Sequence, residues 1–349
     1  MMKKIFLLFF VVLTFVFVKA QSSDVPMATL QHGDKTLVFY GSDALNAAYN
    51  AAADSSDVIM LSSGSYSVPG RIQKSISIYG TGFEPDTIIG SKPTVLYGNL
   101  YLEPRDVMHE DEDGNVTTSR VRVNGIHIEG VKVIGSIGAQ NFKNEIIRNL
   151  TIAKCHIIGE VSLSTESHNM MIRQSIVNGR VGYGGPNDIL TVNLYIANSW
   201  IGCLTWINGF LTMNHSILYG IDNAFIGRYT NNIMYVPLSY VMVGCNNIFI
   251  GCGAGDNVQS YDNYPNMKPA AVFEAVGEDG TYAANKTFAL KYPDKYLGED
   301  GSQIGLYGGL YPWNKIPSTP RIIASEIDAK TSAEGKLKVN ITVEAQTKE

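Results

Sequence analysis

From Ile126 onward, apolar and small residues recur in one short pattern. It reads down the chain as I128-E-G-V131-K-V133, I152-A-K-C155-H-I157 and I172-R-Q-S175-I-V177, then I196-A-N-S199-W-I201, M213-N-H-S216-I-L218 and V243-G-C-N246-N-I248. Each segment is apolar, two variable, small or polar, variable, apolar, and most reach a Gly soon after. The small position advances by 24, 20, 24, 17 and 30 residues, which are coil lengths for a β-solenoid whose longest step holds an inserted loop within 220–240. Side chains alternate across a strand, so Val133, Ile157, Val177, Ile201, Leu218 and Ile248 are expected in one buried ladder. Beside it run Val131, Cys155, Ser175, Ser199, Ser216 and Asn246, where stacked Ser and Asn can hydrogen-bond along the axis.

The flanks extend the pattern. Asp57 to Gly82 supplies two short strand-like runs, Val58–Leu61 and Ile72 to Ile78, separated by Gly and Pro. Thr94–Leu102 and Val121–Ile128 alternate in the same way, with the charged stretch 103–119 between them. Upstream, residues 42–53 place Leu45, Ala48, Tyr49 and Ala52 on one helical face behind Ser42 or Asp43, a short helix suited to covering the open first coil. Downstream, Leu337, Val339, Ile341 and Val343 alternate after Gly335-Lys336, a β-hairpin expected to cap the C-terminal end.

The entry at 57–82 and the run DGSQIGLYGGLYP at 300–312, which reads as a last coil, resemble right-handed parallel β-helix proteins of the pectate-lyase-like superfamily, of the kind bacteria secrete. The expected fold is therefore all-β: a right-handed parallel β-helix with a short N-terminal capping helix and a C-terminal β-hairpin tail. The divisions are a leader at 1–20, a lead-in at 21–41, the solenoid at 42–316 and the tail at 317–349. For the superfamily, the resemblance implies polysaccharide substrates, a Lys, Arg or His base and a cation, often calcium.

Composition adds an address. Lys3 and Lys4 precede the apolar run Ile5–Val18 and the exit Val18-Lys19-Ala20, the form of a secretory signal peptide cleaved after Ala20. That run is too short to span a bilayer, so a secreted, periplasmic or cell-surface protein without a membrane span is expected. Loss of the leader leaves 24 basic against 32 acidic residues, which disfavours nucleic acid as a partner. Four cysteines are no disulfide framework, though Cys245 and Cys252 are close enough in sequence to pair.

Candidate chemistry lies on the outward column Lys132, His156, Ile176, Trp200, Ile217 and Asn247. A cation, an imidazole and an indole in register suit a glycan groove, and Arg173 and Arg148 stand close enough to join. The competing reading is that Ile176 and Ile217 pack beneath a cover. For turnover, Lys132, His156 or Arg173 would serve as base and Glu129 or Glu160 as acid. No catalytic motif of the superfamily's lyases or hydrolases is present, so glycan binding or a part in a surface or extracellular assembly, without catalysis, leads, and a polysaccharide lyase or glycoside hydrolase is the alternative. His127 and His215 have no metal-ligand spacing. Asp111, Glu112 and Asp113 depart from a calcium loop, which leaves calcium as a weak cofactor candidate and none otherwise.

Overall fold

A computed structural model describes residues 25–344, apart from 54, 87–89, 141–146, 165–166, 183–191, 208, 223–226, 239–241, 256–258, 276–279 and 328–330. The leader at 1–20 and its cleavage point lie outside the described residues. The chain winds into a parallel β-helix of about nine turns. Each turn contributes a strand to a first sheet, as in Thr151–Ala153, Met170–Arg173 and Val192–Ala197. It then contributes one to a second sheet, as in His156–Ile157, Ile176–Gly182 and Trp200–Thr205. Twelve strands form the first sheet and thirteen the second.

The expected apolar ladder is present as Val133, Ile157, Val177, Ile201 and Leu218, each paired with the next. It continues through Met234 to Phe249, not to Ile248. Residues 220–240 are not merely an inserted loop, because Gly227–Thr230 and Ile233–Met234 form a further coil. The long step is thus two short ones, and Ile248 turns to the opposite face. Asn247 likewise points inward, not outward.

The polar ladder is continuous. The backbone N–H of Ser175 donates to Ser199 Oγ at 3.1 Å, that of Ser199 to Ser216 Oγ at 3.1 Å, and that of Ser216 to Asn232 Oδ1 at 2.8 Å. Asn232 and Asn247 repeat the bond to Asn247 Oδ1 and Asn263 Oδ1 at 2.9 and 2.8 Å. At this corner the strand direction breaks, and its backbone N–H groups would otherwise lie buried without partners.

At the N-terminus, Met27–His32 and Lys35–Tyr40 form an antiparallel hairpin that continues the first sheet past Ser55–Leu61. The helix Ala44–Ala51 packs there with Ala44, Leu45, Ala48 and Tyr49 buried, which closes the end as expected. Asp43 stands at its N-cap, but its carboxylate accepts from the Asn46 side chain and leaves the helix N–H groups uncapped. Lys74 donates to the carbonyls of Tyr49 and Ala52 at the other end.

The coils end at Met267, and the chain then runs back. The stretch 300–312 is not a last coil. It is part of a return strap, rich in turns, that lies lengthwise along the corner between the two sheets. In that corner Lys154, Gln174, Asn198, His215, Asn231 and Asn246 all adopt left-handed backbone, φ 47–60°. Their side chains hold the strap in reverse order. Asn231 Oδ1 accepts from Glu299 N (2.9 Å), and His215 Nε2 meets Asp300 (3.0 Å). Asn198 Nδ2 donates to Leu306 O (2.8 Å), Gln174 Nε2 to Pro312 O (2.6 Å) and Lys154 Nζ to Ile316 O (2.7 Å). The next corner residue is Gly130, φ +71°, where a Cβ would strike Pro317 at 2.7 Å.

The C-terminal hairpin pairs Arg321–Ile327 with Val339–Glu344, and every residue of the second strand is exposed. Its strands pair with each other and with no coil among the described residues, and its root lies near the first coils, where the strap ends.

Candidate functional site

The outward column of the second sheet stacks in register as Lys132, His156, Ile176, Trp200, Ile217, Ile233 and Ile248. From Ile176 onward it forms a second apolar core with Val272, Phe273, Phe288, Leu290, Ile304 and Leu306. The groove expected there is closed. Four isoleucines around one tryptophan offer an apolar strip, and the returning chain covers it. Trp200 is 5% exposed, with its ring 6.3 Å from that of Tyr282 and its Nε1 donating to Gly280 O at 3.4 Å.

His156, 8% exposed, sits at the margin of this cover, 6.0 Å from Phe83 and 5.3 Å from Tyr282. Burial lowers its pKa to about 4 against the hydrogen bond to Asn178, so the ring is neutral at pH 7. The Tyr282 hydroxyl donates to the Glu84 carboxylate, which Lys315 also engages at 2.6 Å. The structure thus gathers Lys132, His156 and Trp200 around one side of the cover and leaves Arg173 on the other sheet.

Arg173 belongs to the outer face of the first sheet, where one column reads Tyr79, Glu129, Ala153, Arg173, Ala197 and Asn214. Buried alanines flank it on the adjacent coils, and the guanidinium lies 5.3 Å over the Tyr311 ring of the strap. Nη1 donates to Gln174 Oε1 at 3.3 Å, and no carboxylate pairs with it among the described residues. Tyr195 stands on the next coil, two residues before Arg173's partner Ala197, half-buried, with its hydroxyl bonded to Asn214. Phe210, 76% exposed, borders the same face.

At the N-terminal end of this face, His127 Nε2 lies 2.9 Å from Glu129 Oε2, and its ring is 5.1 Å from that of Tyr79. Burial works to raise the Glu129 pKa. Hydrogen bonds from His127 and Ser318 outweigh it and bring the carboxyl down to about 2. Ser318 N donates to Glu129 Oε1 at 2.6 Å, so both oxygens are engaged, one of them by the strap. A carboxylate held this way is a fastening and a poor proton carrier.

Among the described residues no group of three His, Cys, Asp or Glu is placed to hold a metal. Asp111 instead organises the tip of the hairpin Arg105–Glu110/Val116–Val121, accepting from the backbone of Asp113 and Asn115 at 3.0 and 2.8 Å. Glu160 and Arg148 are exposed. All four cysteines are free, so Cys245 and Cys252 do not pair. No described helix is long and apolar enough to cross a membrane.

Tyr195 was readable as outward-facing, because Leu194 and Ile196 flank it as inward residues. Tyr311 left no such signal, since its place depends on where the strap returns. Comparison with family models, with curated proteins and with solved structures finds no match to this chain.

Proposed function

We propose that this is an exported, glycan-binding β-helix protein whose outer first-sheet face takes an extended, carboxylate-bearing polysaccharide without turning it over. The observation that carries this reading is Arg173: a guanidinium with no carboxylate partner among the described residues, stacked on Tyr311 and flanked by two alanines. Such a group recognises a planar carboxylate in two-pronged fashion, while neighbouring rings offer flat surfaces to sugars. Tyr79, Tyr195 and Phe210 extend that surface along a face whose coils repeat every ~4.8 Å. The leader-like residues 1–20 support export, and the resemblance to the pectate-lyase-like superfamily supports a polysaccharide ligand. Binding without catalysis is supported by Glu129, whose oxygens are committed to His127 and Ser318.

Affinity electrophoresis or calorimetry with polygalacturonate and neutral xylan tests this. The wild-type chain should bind the polyuronate more tightly, Arg173→Ala should lose that preference, and Arg173→Lys should recover part of it. Equal affinity for both polymers, or no effect of Arg173→Ala, would overturn the assignment. Unsaturated products or new reducing ends on prolonged incubation would decide for the lyase or hydrolase alternative.

A further inference from the structure

The cover over the second sheet stops short. Beyond Tyr282 and Trp313 the same outer face remains open over the early coils, and it is apolar. Tyr97 and Ile134 are cross-strand neighbours, 55% and 36% exposed. Ile158 follows on the next coil at 38%, its N–H bonded to Val133 O. Val95 and Lys132 lie half-buried beside them.

The C-terminal hairpin shows the complementary deficit. Leu337, Val339, Ile341 and Val343 lie at alternating positions and are 46–58% exposed. The two strands pair only with each other, and an isolated two-stranded hairpin in water is marginal. It is also tethered beside the open patch. Ser318 is fixed to Glu129 and Pro317 packs on Gly130, two residues before Lys132. From Ser318 to Arg321 the chain reaches at most about 10 Å.

We propose that the hairpin 321–344 docks its Leu337/Val339/Ile341/Val343 face onto the Tyr97/Ile134/Ile158 patch and completes the cover that residues 269–313 begin. The dimensions agree. Two strands of six or so residues measure about 20 by 10 Å, and three stacked coils present a strip of similar height. The surface being covered is continuous with an interface the same chain has already formed, and the tether gives the docking a high effective concentration. Docking also covers Lys132, which leaves the first sheet as the long open face of the solenoid. This inference is independent of any glycan.

Paired cysteines test it in the full chain. Ile134→Cys with Ile341→Cys, mildly oxidised, should give a disulfide within one chain, seen as a cross-linked peptide from a monomer. Tyr261→Cys with Ile341→Cys, at the far end of the solenoid, should give none. A cross-link found only between two chains means that the hairpin serves a second copy, and equal cross-linking at both sites means that it docks nowhere; either overturns the proposal. As a separate reading, Ile341→Asp should cost residues 95–97 and 132–134 their amide-exchange protection while the inner ladder keeps its own. Unchanged exchange at the patch would overturn it as well.

Discussion

Tyr282 touches both Trp200 and His156, with ring centroids 6.3 and 5.3 Å away. One tyrosine of the returning chain thereby seals two residues whose sequence positions suit a sugar groove. Trp200→Ala should therefore act on stability. Removing a large ring from a closed apolar layer costs about 3–5 kcal/mol. Urea unfolding should show that loss, and glycan affinity below the transition should be unchanged.

The polar ladder makes a different prediction. Asn232 is fully buried, accepts from Ser216 N at 2.8 Å and donates to Met213 O at 3.0 Å. Asn232→Ala strands both backbone groups and should destabilise by about 1–3 kcal/mol, whereas Asn232→Ser, which restores an acceptor of the kind used at Ser175, Ser199 and Ser216, should lose less. Denaturation midpoints for the two variants check the order.

A third test concerns the strap. Asn198→Gly keeps the left-handed backbone, φ 48°, and removes only the side chain that donates to Leu306 O and Gly308 O. Limited proteolysis should then cut within 300–312 faster than in the wild type, while the coils stay resistant. Equal cleavage rates would show that the anchor contributes nothing.

Acid should loosen the molecule in two stages. The folded pKa of His156 is depressed from 6.5 to about 4, so its neutral form favours the fold. Its contribution is full above 6.5 and is lost as pH falls through about 4. The Glu129 carboxyl is depressed from 4.5 to about 2, so its contribution is full above 4.5 and lost as pH falls towards 2. His156→Gln should flatten the stability curve in the upper window and Glu129→Gln in the lower. Chemical denaturation across pH 7 to 2 reads both.

Most of the solenoid was legible because period-two alternation survives where inward residues have side chains. It failed at one coil for an identifiable reason. The inward residue paired with Tyr229 is Gly244, which carries no side chain. With Gly244 silent, Val243 passed for the inward residue, and the doublet Asn246-Asn247 accepted a register shifted by one. The neighbouring doublet Asn231-Asn232 lacks the mark of the other coils, since the first Gly after Met234 is Gly244. The site was less legible. Alternation tells which residues leave a sheet, as for Arg173 and Trp200, but not which outward face another segment will cover. That depends on the path of 269–318, whose described residues hold turns and no named strand and so give no periodic signal.

The strap also changes how the molecule comes apart. In a bare solenoid each coil touches only its neighbours, so the ends can fray one unit at a time. Here the segment that leaves the last coil at Met267 is fastened successively to Asn231, Asn198, Gln174, Lys154 and Glu129. Opening either end therefore strains a tie to coils several turns away, and a structure built from local repeats acquires long-range cooperativity. It should melt in one transition, and its final fastening must wait until Ser318 has emerged, 189 residues after its partner Glu129.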